Sequence, residues 1–588
     1  MRYDKRAFNN GVSYYKKNLG SIKGKTVLAI FDVENTDAYY SLAPLSRAVH
    51  LLGADIECIG IDGKSESLDM LQHTWRIYEE LKKGTRTERT QALGAFIKEV
   101  KKRYKGFERI LKRPELVIWA DNYGFVGKKG LSFKTGWFRP HKEKLLAKTC
   151  KVIWTQVYNL KKKEKAGIGF ETIPKARDME KPLEDYLDSF PIARAMMLEA
   201  KKFGAVGMSA STSRLSMLDP MTRVSDLRAT LLGCELSKGI DEPVFRKFRK
   251  LSPYIGSNRL KTNDATFFIR GKGYGGEHGF GQYIGYPDPK KRTRWQSPGM
   301  FLYKLDYFPQ TKHDERMPRS RIGFTETLPI DIFIQTCNID WLAMKNTDDK
   351  LKAIANKSER ILVRSNLNKG PKTEFEVGLV KPDGSRRIPR GSDVDVREKI
   401  NKDFLRRTGH YAGNMANLPG GEMFVTPEYI EGTIVGDVVI NIDQSYVLDE
   451  RSPIIVHAQK KGYTIKKGPK KILEKLDKKK KEAWKTLKKY EKNKSLPKEI
   501  IELKKKNFNG IGEFAVNTNP KAKLCDYLIV NEKIANMIHV ALGSGFEADK
   551  STEYHMDIVI DARRQKLDIF GVGKTGKKHW ILKGGKFA

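Results

Sequence analysis

The residues with the clearest capacity for chemistry lie near the C-terminus, where one residue separates a histidine from a carboxylate. His555 and Asp557 stand at the start of an apolar run that continues through Ile560. Because successive side chains of a strand point to opposite faces, this spacing places both groups on one face. A histidine and a carboxylate on one face can hold a transition metal when a third ligand is near. The pair is therefore a candidate metal site.

Three further residues are candidate ligands. His539 lies shortly before Gly543, and we predict that it belongs to a helix or turn ending at this glycine. Glu422 follows a glycine-rich turn, and Glu513 is the lone carboxylate at the start of an apolar strand. A buried carboxylate without a cation is costly, so each needs a partner or an exposed position. From the residues alone, a hydrogen-bonded core histidine and surface acids at strand ends remain alternatives.

Common catalytic signatures do not occur in this sequence. It has no H-E-x-x-H motif and no G-x-S-x-G motif, which excludes the usual helical zinc proteases and the nucleophile elbow. Five scattered cysteines without a C-x-x-C pair predict a reduced, intracellular protein with neither a disulfide framework nor a thiolate zinc site. Gly271, Gly273 and Gly276 match a dinucleotide motif formally, but no helix pattern follows, so we interpret them as turn residues.

The elements that must position the candidate ligands fall into two regions, with the main boundary predicted near residue 340. Residues 1–340 are predicted to form an α/β domain with a mostly parallel sheet, because strand, helix and strand follow one another as in a βαβ unit. Residues 341–588 are predicted to form an α+β catalytic domain. The strand and helix signals of the first region lie at residues 25–31, 37–52, 53–61, 116–120, 192–203 and 204–208.

A lysine-rich insert, residues 466–508, interrupts the second region. Between residues 470 and 506 it has 16 lysines against 6 acidic residues. Apolar residues at spacings of three to four predict two helices, which we interpret as an arm projecting from the domain. Such an arm would bind nucleic acid or a partner, or would be a solvated helical hairpin. The remaining signals are a helix at 340–360 and strands at 373–380, 422–425, 433–440 and 452–458.

The composition restricts the partners and the compartment. Lys and Arg outnumber Asp and Glu by 111 to 71, so the formal net charge at pH 7 is +40. This excess favours acidic partners such as nucleic acid, although a surface that is lysine-rich throughout gives the same balance. No stretch approaches the roughly 20 apolar residues of a membrane span, and the N-terminal residues lack a signal-peptide pattern. We expect a cytoplasmic protein without membrane contact.

Four segments together resemble the thermophilic aminopeptidase T family of leucyl-aminopeptidase-like metallopeptidases. They occur in the order found in that family, which shows an N-L-P-x-x-E turn, a glycine-glutamate strand, an H-x-A-L-G segment and S-x-x-H-x-D. The resemblance covers residues 340–588 closely and the N-terminal region loosely. The segments are Asn417–Phe424, Gly512-Glu513, His539–Gly543 and Ser551–Asp557.

The resemblance implies a homodimeric, metal-dependent aminopeptidase with an aminopeptidase T-like fold, acting on peptides. It also implies two divalent ions, zinc, cobalt or manganese, which activate a bridging water, orient the free amino group of the peptide and polarise the scissile carbonyl. By correspondence of the motifs, the metal ligands are Glu422, Glu513, His539, His555 and Asp557.

One departure from the family separates metal binding from activity. The family has a tyrosine seven residues after the middle histidine, and this chain has Phe546 there. A missing phenol removes a hydrogen-bond donor that could stabilise an oxyanion. Tyr554 is no simple substitute, because it is adjacent to His555 and would point to the opposite face of the strand. All five metal ligands that the resemblance implies are present, and the departure at Phe546 concerns only the implied peptidase activity.

Two other functions are compatible with the sequence. His539, His555 and Asp557 form the 2-His-1-carboxylate set of non-haem iron oxygenases, and ring-cleaving dioxygenases resemble the same family. Glu422 and Glu513 are superfluous for a single iron. Alternatively, the basic chain is a nucleic-acid-binding protein with a degenerate peptidase site, a hypothesis that rests on net charge and the lysine-rich insert.

Overall fold

The computed structural model describes residues 3–61, 116–119, 136–209, 265–270, 321–391, 415–493 and 498–588, apart from positions 165, 171, 180, 205 and 546, together with a few residues between 84 and 91. The chain divides into two compact units, and the division falls between Ile334 and Gln335. Whether these units are the domains 1–340 and 341–588 stays a prediction. Phe546 and the glycines of the dinucleotide-like motif lie outside the described residues.

The first unit has the mixed α/β composition that the sequence predicts. A π-helical turn, Ile153–Val157, continues its third helix, and a short 3₁₀ helix spans Ala176–Asp178. Another helix, α5 (Ile330–Cys337), crosses the division between the units. The other elements are α1 (Lys5–Leu19), β1 (Thr26–Asp32), α2 (Thr36–Leu51), β2 (Asp55–Ile61), β3 (Leu116–Trp119), α3 (Glu143–Val152), β4 (Ala166–Phe170), α4 (Leu183–Lys201), β5 (Val206–Ser209), β6 (Ala265–Arg270) and β7 (Arg321–Glu326).

The strands of the first unit form one sheet in the order β7-β6-β4-β5-β2-β1-β3. Neighbouring strands run parallel except for β2 and β5, which are antiparallel. The predicted βαβ unit is confirmed, since β1 and β2 pair in parallel on either side of α2 in the chain. Asn35 caps α2 by accepting a hydrogen bond from the amide of Ala38, and Gly53 follows its end at a φ of +75°.

The second unit combines two antiparallel sheets with flanking helices. The elements are α6 (Trp341–Lys357), β8 (Arg360–Ser365), β9 (Glu374–Gly378), β10 (Arg390–Gly391), β11 (Met415–Asn417), β12 (Glu422–Val425), β13 (Tyr429–Gly436), β14 (Val439–Asn441), β15 (Ser445–Val447), β16 (Ile454–Gln459), β17 (Gly462–Lys467), α7 (Lys470–Lys492), α8 (Lys498–Lys506), β18 (Ile511–Asn517), α9 (Leu528–Asn531), β19 (Met537–Gly543), a 3₁₀ turn (Ala548–Lys550), β20 (His555–Asp561), β21 (Leu567–Val572), β22 (Lys578–Lys583) and β23 (Lys586–Phe587). The seven-stranded sheet has the order β10-β12-β18-β19-β20-β14-β15, and the eight-stranded sheet has the order β17-β16-β13-β9-β8-β21-β22-β23.

One hydrophobic core contains residues from both sheets of the second unit. The seven-stranded sheet contributes Val516, Val540 and Ile558, and the eight-stranded sheet contributes Ile434 and Val456, among others. In β18, β19 and β20 the core residues are every second residue. The alternate residues of the seven-stranded sheet therefore point to its other face, and this is where the candidate ligands lie.

The segment around His539 differs from its prediction. The sequence suggested a helix or turn ending at Gly543, whereas residues 537–543 form strand β19, paired with β18 and β20. The reason is the period of two in this segment, where Ile538, Val540 and Leu542 face the core. The short helix α9 lies upstream of this strand.

The lysine-rich insert is not a projecting arm. Both predicted helices exist, as α7 and α8, but Ile472, Leu476 and Leu487 of α7 belong to the hydrophobic core. Trp484 packs edge to face against Phe508, with ring centroids 4.8 Å apart. The lysines cover the outer surface of the helix, while one apolar stripe faces the domain. The prediction that the insert projects from the domain is therefore wrong, while its role in binding nucleic acid or a partner stays a prediction.

A buried lysine of the insert fixes α8 against the segment that precedes His555. The Lys504 side chain is fully buried, pairs with Glu553, and directs its ammonium group at the carbonyl oxygen of Thr552. In return, the hydroxyl of Thr552 donates to the carbonyl oxygen of Lys504 at 2.8 Å. The insert thus supports the chain directly before strand β20.

We predict that Lys504→Met destabilises the metal-free protein by about 3–5 kcal/mol, because it leaves Glu553 buried without its counter-charge. The adjacent Lys505 is the matched control, since it pairs with the more exposed Glu491 and Glu502. Lys505→Met is expected to cost much less, because an ion pair exposed to solvent contributes little to stability. Denaturant unfolding in the presence of a chelator measures both, and equal losses would contradict the buried role of Lys504.

Candidate metal centre

All five predicted ligands lie on four neighbouring strands of the seven-stranded sheet. Glu422 begins β12, Glu513 lies on β18, His539 lies on β19, and His555 and Asp557 lie on β20. Each of the five side chains is buried, with at most 7% of its surface exposed. The structure therefore brings together every residue of the predicted ligand set.

The strand register explains why these side chains can converge. Ala541 of β19 lies opposite Glu513 on one side and Asp557 on the other, and Ala515 of β18 lies opposite His539. The residues between the candidate ligands on this face are therefore small. A larger side chain at either alanine would occupy the space into which the carboxylates and imidazoles project.

Glu513 belongs to two sets of potential ligands. In the first set, Nε2 of His539 lies 3.6 Å from Oε2 of Glu422 and 3.5 Å from Oε1 of Glu513. In the second set, Nε2 of His555 lies 3.3 Å from Oε2 of Glu513 and 3.1 Å from Oδ1 of Asp557. The potential ligand atoms of each set lie within 4.8 Å of one another. Glu513 therefore offers one carboxylate oxygen to each set.

The second nitrogen of each histidine ring is held by the protein. Nδ1 of His555 lies 2.7 Å from the carbonyl oxygen of Ser544, and Nδ1 of His539 lies 2.9 Å from Oδ1 of Asn517. A carbonyl oxygen only accepts hydrogen bonds, so Nδ1 of His555 donates, and Nε2 faces the carboxylates. The same holds for His539 when the amide oxygen of Asn517 accepts. Proteins orient metal-binding imidazoles in this way.

Gly512 allows the carbonyl oxygen of Ser544 to reach His555. A Cβ atom at position 512 would lie 2.0 Å from this oxygen, which no side chain tolerates. The strand pairing between β18 and β19 also shifts register between Ile511 and Glu513, as in a bulge. The glycine before Glu513 is thus required by the backbone contact that orients a neighbouring histidine.

Two carboxylate oxygens of the site have no hydrogen-bond donor among the described residues, namely Oε2 of Glu422 and Oδ1 of Asp557. Because both groups are buried, each unmatched oxygen carries a desolvation cost. Each oxygen also faces Nε2 of a histidine, which in the neutral tautomer presents a lone pair. A divalent cation would resolve both mismatches, and imidazole with carboxylate suits zinc, cobalt and manganese. The residues present therefore fit a metal.

Without a metal, protons compensate the charges of the cluster. Burial lowers the pKa of His555, but Asp557 and Glu513 outweigh burial and raise this pKa well above its ordinary value. Burial raises the pKa of Glu513, whereas hydrogen bonds from His539 and His555 outweigh it and lower this pKa to about 2. The second set therefore holds a proton on His555 that a bound metal would displace.

Lys533 is a residue of the centre that the sequence did not single out. Its side chain is buried, and Nζ lies 2.8 Å from Oε1 of Glu422 and 3.2 Å from Oε2 of Glu532. Burial lowers the pKa of this ammonium group, but the two carboxylates outweigh burial and raise it. The charged lysine thus holds one oxygen of Glu422, while the other oxygen faces His539.

Glu532 is a second residue of the centre that the sequence did not single out. Burial, followed by the charge of Asp557, raises the pKa of Glu532 well above its ordinary value. A signal existed in the sequence, since Glu532 and Lys533 are charged residues between the apolar Val530 and Ile534. Such residues need partners when buried. The partners themselves follow only from the tertiary structure.

Comparisons with known proteins give a distant structural likeness. No protein-family model matches the chain, and no curated protein matches it. Among solved structures, the chain is similar to wild-type AmpT from Thermus thermophilus, at 14% sequence identity and a TM-score of 0.36. The similarity covers 76% of this chain and 100% of AmpT.

The helices of the described residues were also compared with the length and hydropathy of a membrane span, and none of them meets both.

We predict that Glu513→Gln abolishes binding of both metal ions, because one carboxylate serves both sets. Glu422→Gln and Asp557→Asn should each remove only the ion of their own set. Glu431→Gln is the control, because its carboxylate is 54% exposed. Metal content per chain, measured by mass spectrometry after equilibrium dialysis, distinguishes these outcomes. Retention of one tightly bound ion by Glu513→Gln would contradict the shared role.

We also predict that Lys533→Met destabilises the metal-free protein by about 3–5 kcal/mol, since the buried carboxylate of Glu422 loses its cation. A saturating divalent metal should restore more stability to this variant than it adds to the wild type, because the ion supplies the missing positive charge. Lys523→Met, at an exposed position, is the control. Thermal unfolding with and without metal measures the effect, and equal metal stabilisation in both proteins would contradict it.

Proposed function

We propose that this chain is a metal-dependent aminopeptidase with a dinuclear centre. The observation that carries the proposal is the position of Glu513 between two buried sets of ligands, Glu422 with His539 and His555 with Asp557. Two ions that share a carboxylate are typical of hydrolases that activate water between metals. When bound, the ions would lower the pKa of a bridging water and polarise a scissile carbonyl group.

The residues of the chain would prepare the site for this chemistry in three ways. Asn517 and Ser544 orient the two imidazoles. Lys533 holds Glu422 in place and neutralises part of the acidic cluster. Glu532 lies beside Asp557, and its raised pKa makes it the candidate proton donor of the site.

The preference for peptides with a free amino terminus has one support. The four motifs occur in the order that resembles the aminopeptidase T family. The homodimer and the set of zinc, cobalt or manganese as candidate ions are proposals by resemblance.

The alternative of a ring-cleaving dioxygenase has less support from the geometry. That chemistry needs His539, His555 and Asp557 around one iron. The structure instead groups His539 with Glu422 and Glu513, and groups His555 with Asp557 and Glu513. The nucleic-acid-binding alternative stays a hypothesis, although the insert on which it partly rested is packed against the domain.

The test is release of N-terminal residues from a panel of peptides by protein reloaded with zinc, cobalt or manganese. We expect activity that a chelator abolishes and that requires a free amino group, so N-acetylated versions of the same peptides should remain intact. Glu422→Ala and His555→Ala should lower kcat/KM at least about a hundredfold, while Glu431→Gln should leave it unchanged.

If no peptide is cleaved, the metal content of the protein shows which part of the proposal has failed. Two bound ions without cleavage of any peptide would refute the peptidase and leave the metal centre standing. One iron per chain, with oxygen consumed when a catechol-like ring is supplied, would favour the dioxygenase instead. Glu513→Gln should lose both the ions and the activity, whichever peptide is cleaved.

A further inference from the structure

A second candidate site lies in the second unit, in a cavity of about 640 Å³. None of the five candidate metal ligands lines it. Its walls come from residues 380–382, the start of β13, the turn between β16 and β17, and the segment after α8. Five amino groups belong to the lining, those of Lys381, Lys460, Lys461, Lys506 and Lys550.

One wall of the cavity is a buried network with balanced charge. Arg387 is almost fully buried and donates hydrogen bonds to Glu428 at 2.6 Å and to Glu547 at 2.7 Å. Lys381 pairs with Glu547 at 3.1 Å, and Lys550 pairs with Glu428 at 3.5 Å. The network contains three cations and three carboxylates, namely Arg387, Lys381 and Lys550 with Glu428, Glu547 and Asp549.

The other lysines of the cavity have little compensation. Lys460 lies 3.8 Å from the exposed Glu431. Among the described residues, Lys461 and Lys506 have no ion pair, and both are exposed. Glu428 is the only carboxylate among the lining residues that the structure describes, and its two oxygens already face Arg387 and Lys550. The cavity therefore has an excess of positive charge that no side chain of its lining neutralises.

The surroundings of Lys550 disfavour its positive charge. Burial, followed by the charge of Arg387, lowers the pKa of Lys550 despite its partner Glu428. A cation in such surroundings gains from a further anion within reach. The positive potential thus extends from the exposed lysines at the edge of the cavity to a half-buried one in its wall.

The lining disfavours recognition of a flat ring. Tyr429 is its one aromatic residue among those described. Nζ of Lys460 lies over the phenol ring, 5.0 Å from the ring centroid. Gly378 lies against the ring so closely that a Cβ there would come within 2.3 Å of it. A nucleobase would have to compete with these contacts for the one ring, whereas five amino groups line the cavity, so charge is the main means of recognition.

We propose that this cavity binds a small polyanion with two or more phosphate groups. Lys460, Lys461 and Lys506 contact the phosphates, and Lys550 supports them from the wall. Compact phosphate groups present several acceptor oxygens, so that ammonium groups from three different segments can bind one molecule. This site is separate from the metal centre and does not depend on the function proposed for it.

The experiment is calorimetric titration of the full chain with pyrophosphate, after removal of metal ions, since a bound metal would itself coordinate the probe. We expect saturable binding that the double variant Lys461→Gln/Lys506→Gln weakens about tenfold or more. The matched control is Lys488→Gln/Lys489→Gln, which removes the same charge from exposed positions of α7 outside the cavity. The control should change affinity by less than about twofold.

Three results would overturn the proposal. The first is no binding by the wild type, and the second is an equal loss in both double variants, which would show a diffuse effect of net charge. The third uses a single-stranded RNA as competitor. If RNA binds in a manner that depends on Lys461 and Lys506 while pyrophosphate does not, the cavity belongs to a nucleic-acid surface and the small-anion assignment is wrong.

Discussion

The arrangement of the second unit depends on one constraint, which is the compensation of carboxylates buried on one face of a sheet. Glu422, Glu513 and Asp557 lie where water cannot solvate them, and each requires a cation or a proton. In the metal-free state the compensation comes from Lys533 and from the proton that Asp557 and Glu513 favour on His555. When both histidines are neutral, Oε2 of Glu422 and Oδ1 of Asp557 have no donor among the described residues. This residual mismatch is the physical reason for placing metal ions at the centre, independently of any likeness to other proteins.

The scaffold meets this constraint through strand register and small residues rather than through loops. Alternation in β18, β19 and β20 sends apolar side chains into the core and the ligands to the opposite face. Ala515 and Ala541 leave room between the ligands, and Gly512 lets a carbonyl oxygen reach His555. Because the ligands lie on hydrogen-bonded strands, their separations are fixed before any ion binds, which lowers the cost of assembling the site.

The abundant positive charge of the chain has more than one structural role. In the insert, lysines cover the outside of α7 while its apolar stripe enters the core, and Lys504 is buried against the segment before His555. Elsewhere, Arg387 is the centre of a balanced network, and the nearby exposed Lys461 and Lys506 have no ion pair among the described residues. The net charge of +40 therefore includes cations that are paired with carboxylates and cations that are not, and the two kinds differ in what they can bind.

The sequence by itself determined the candidate ligands and the local elements that contain them. The predicted strand 422–425 has the bounds of β12, the βαβ unit is present, and both helices of the insert form, because these features depend on short-range periodicity. The strand around His539 was missed, since a helix-like stretch precedes its period of two. Only the tertiary structure decided that Glu513 lies between two sets of ligands, that Lys533 and Glu532 join them, and that the insert packs against the domain. Each of these depends on which strands are neighbours and in what register, and residues distant in the chain meet only through that pairing.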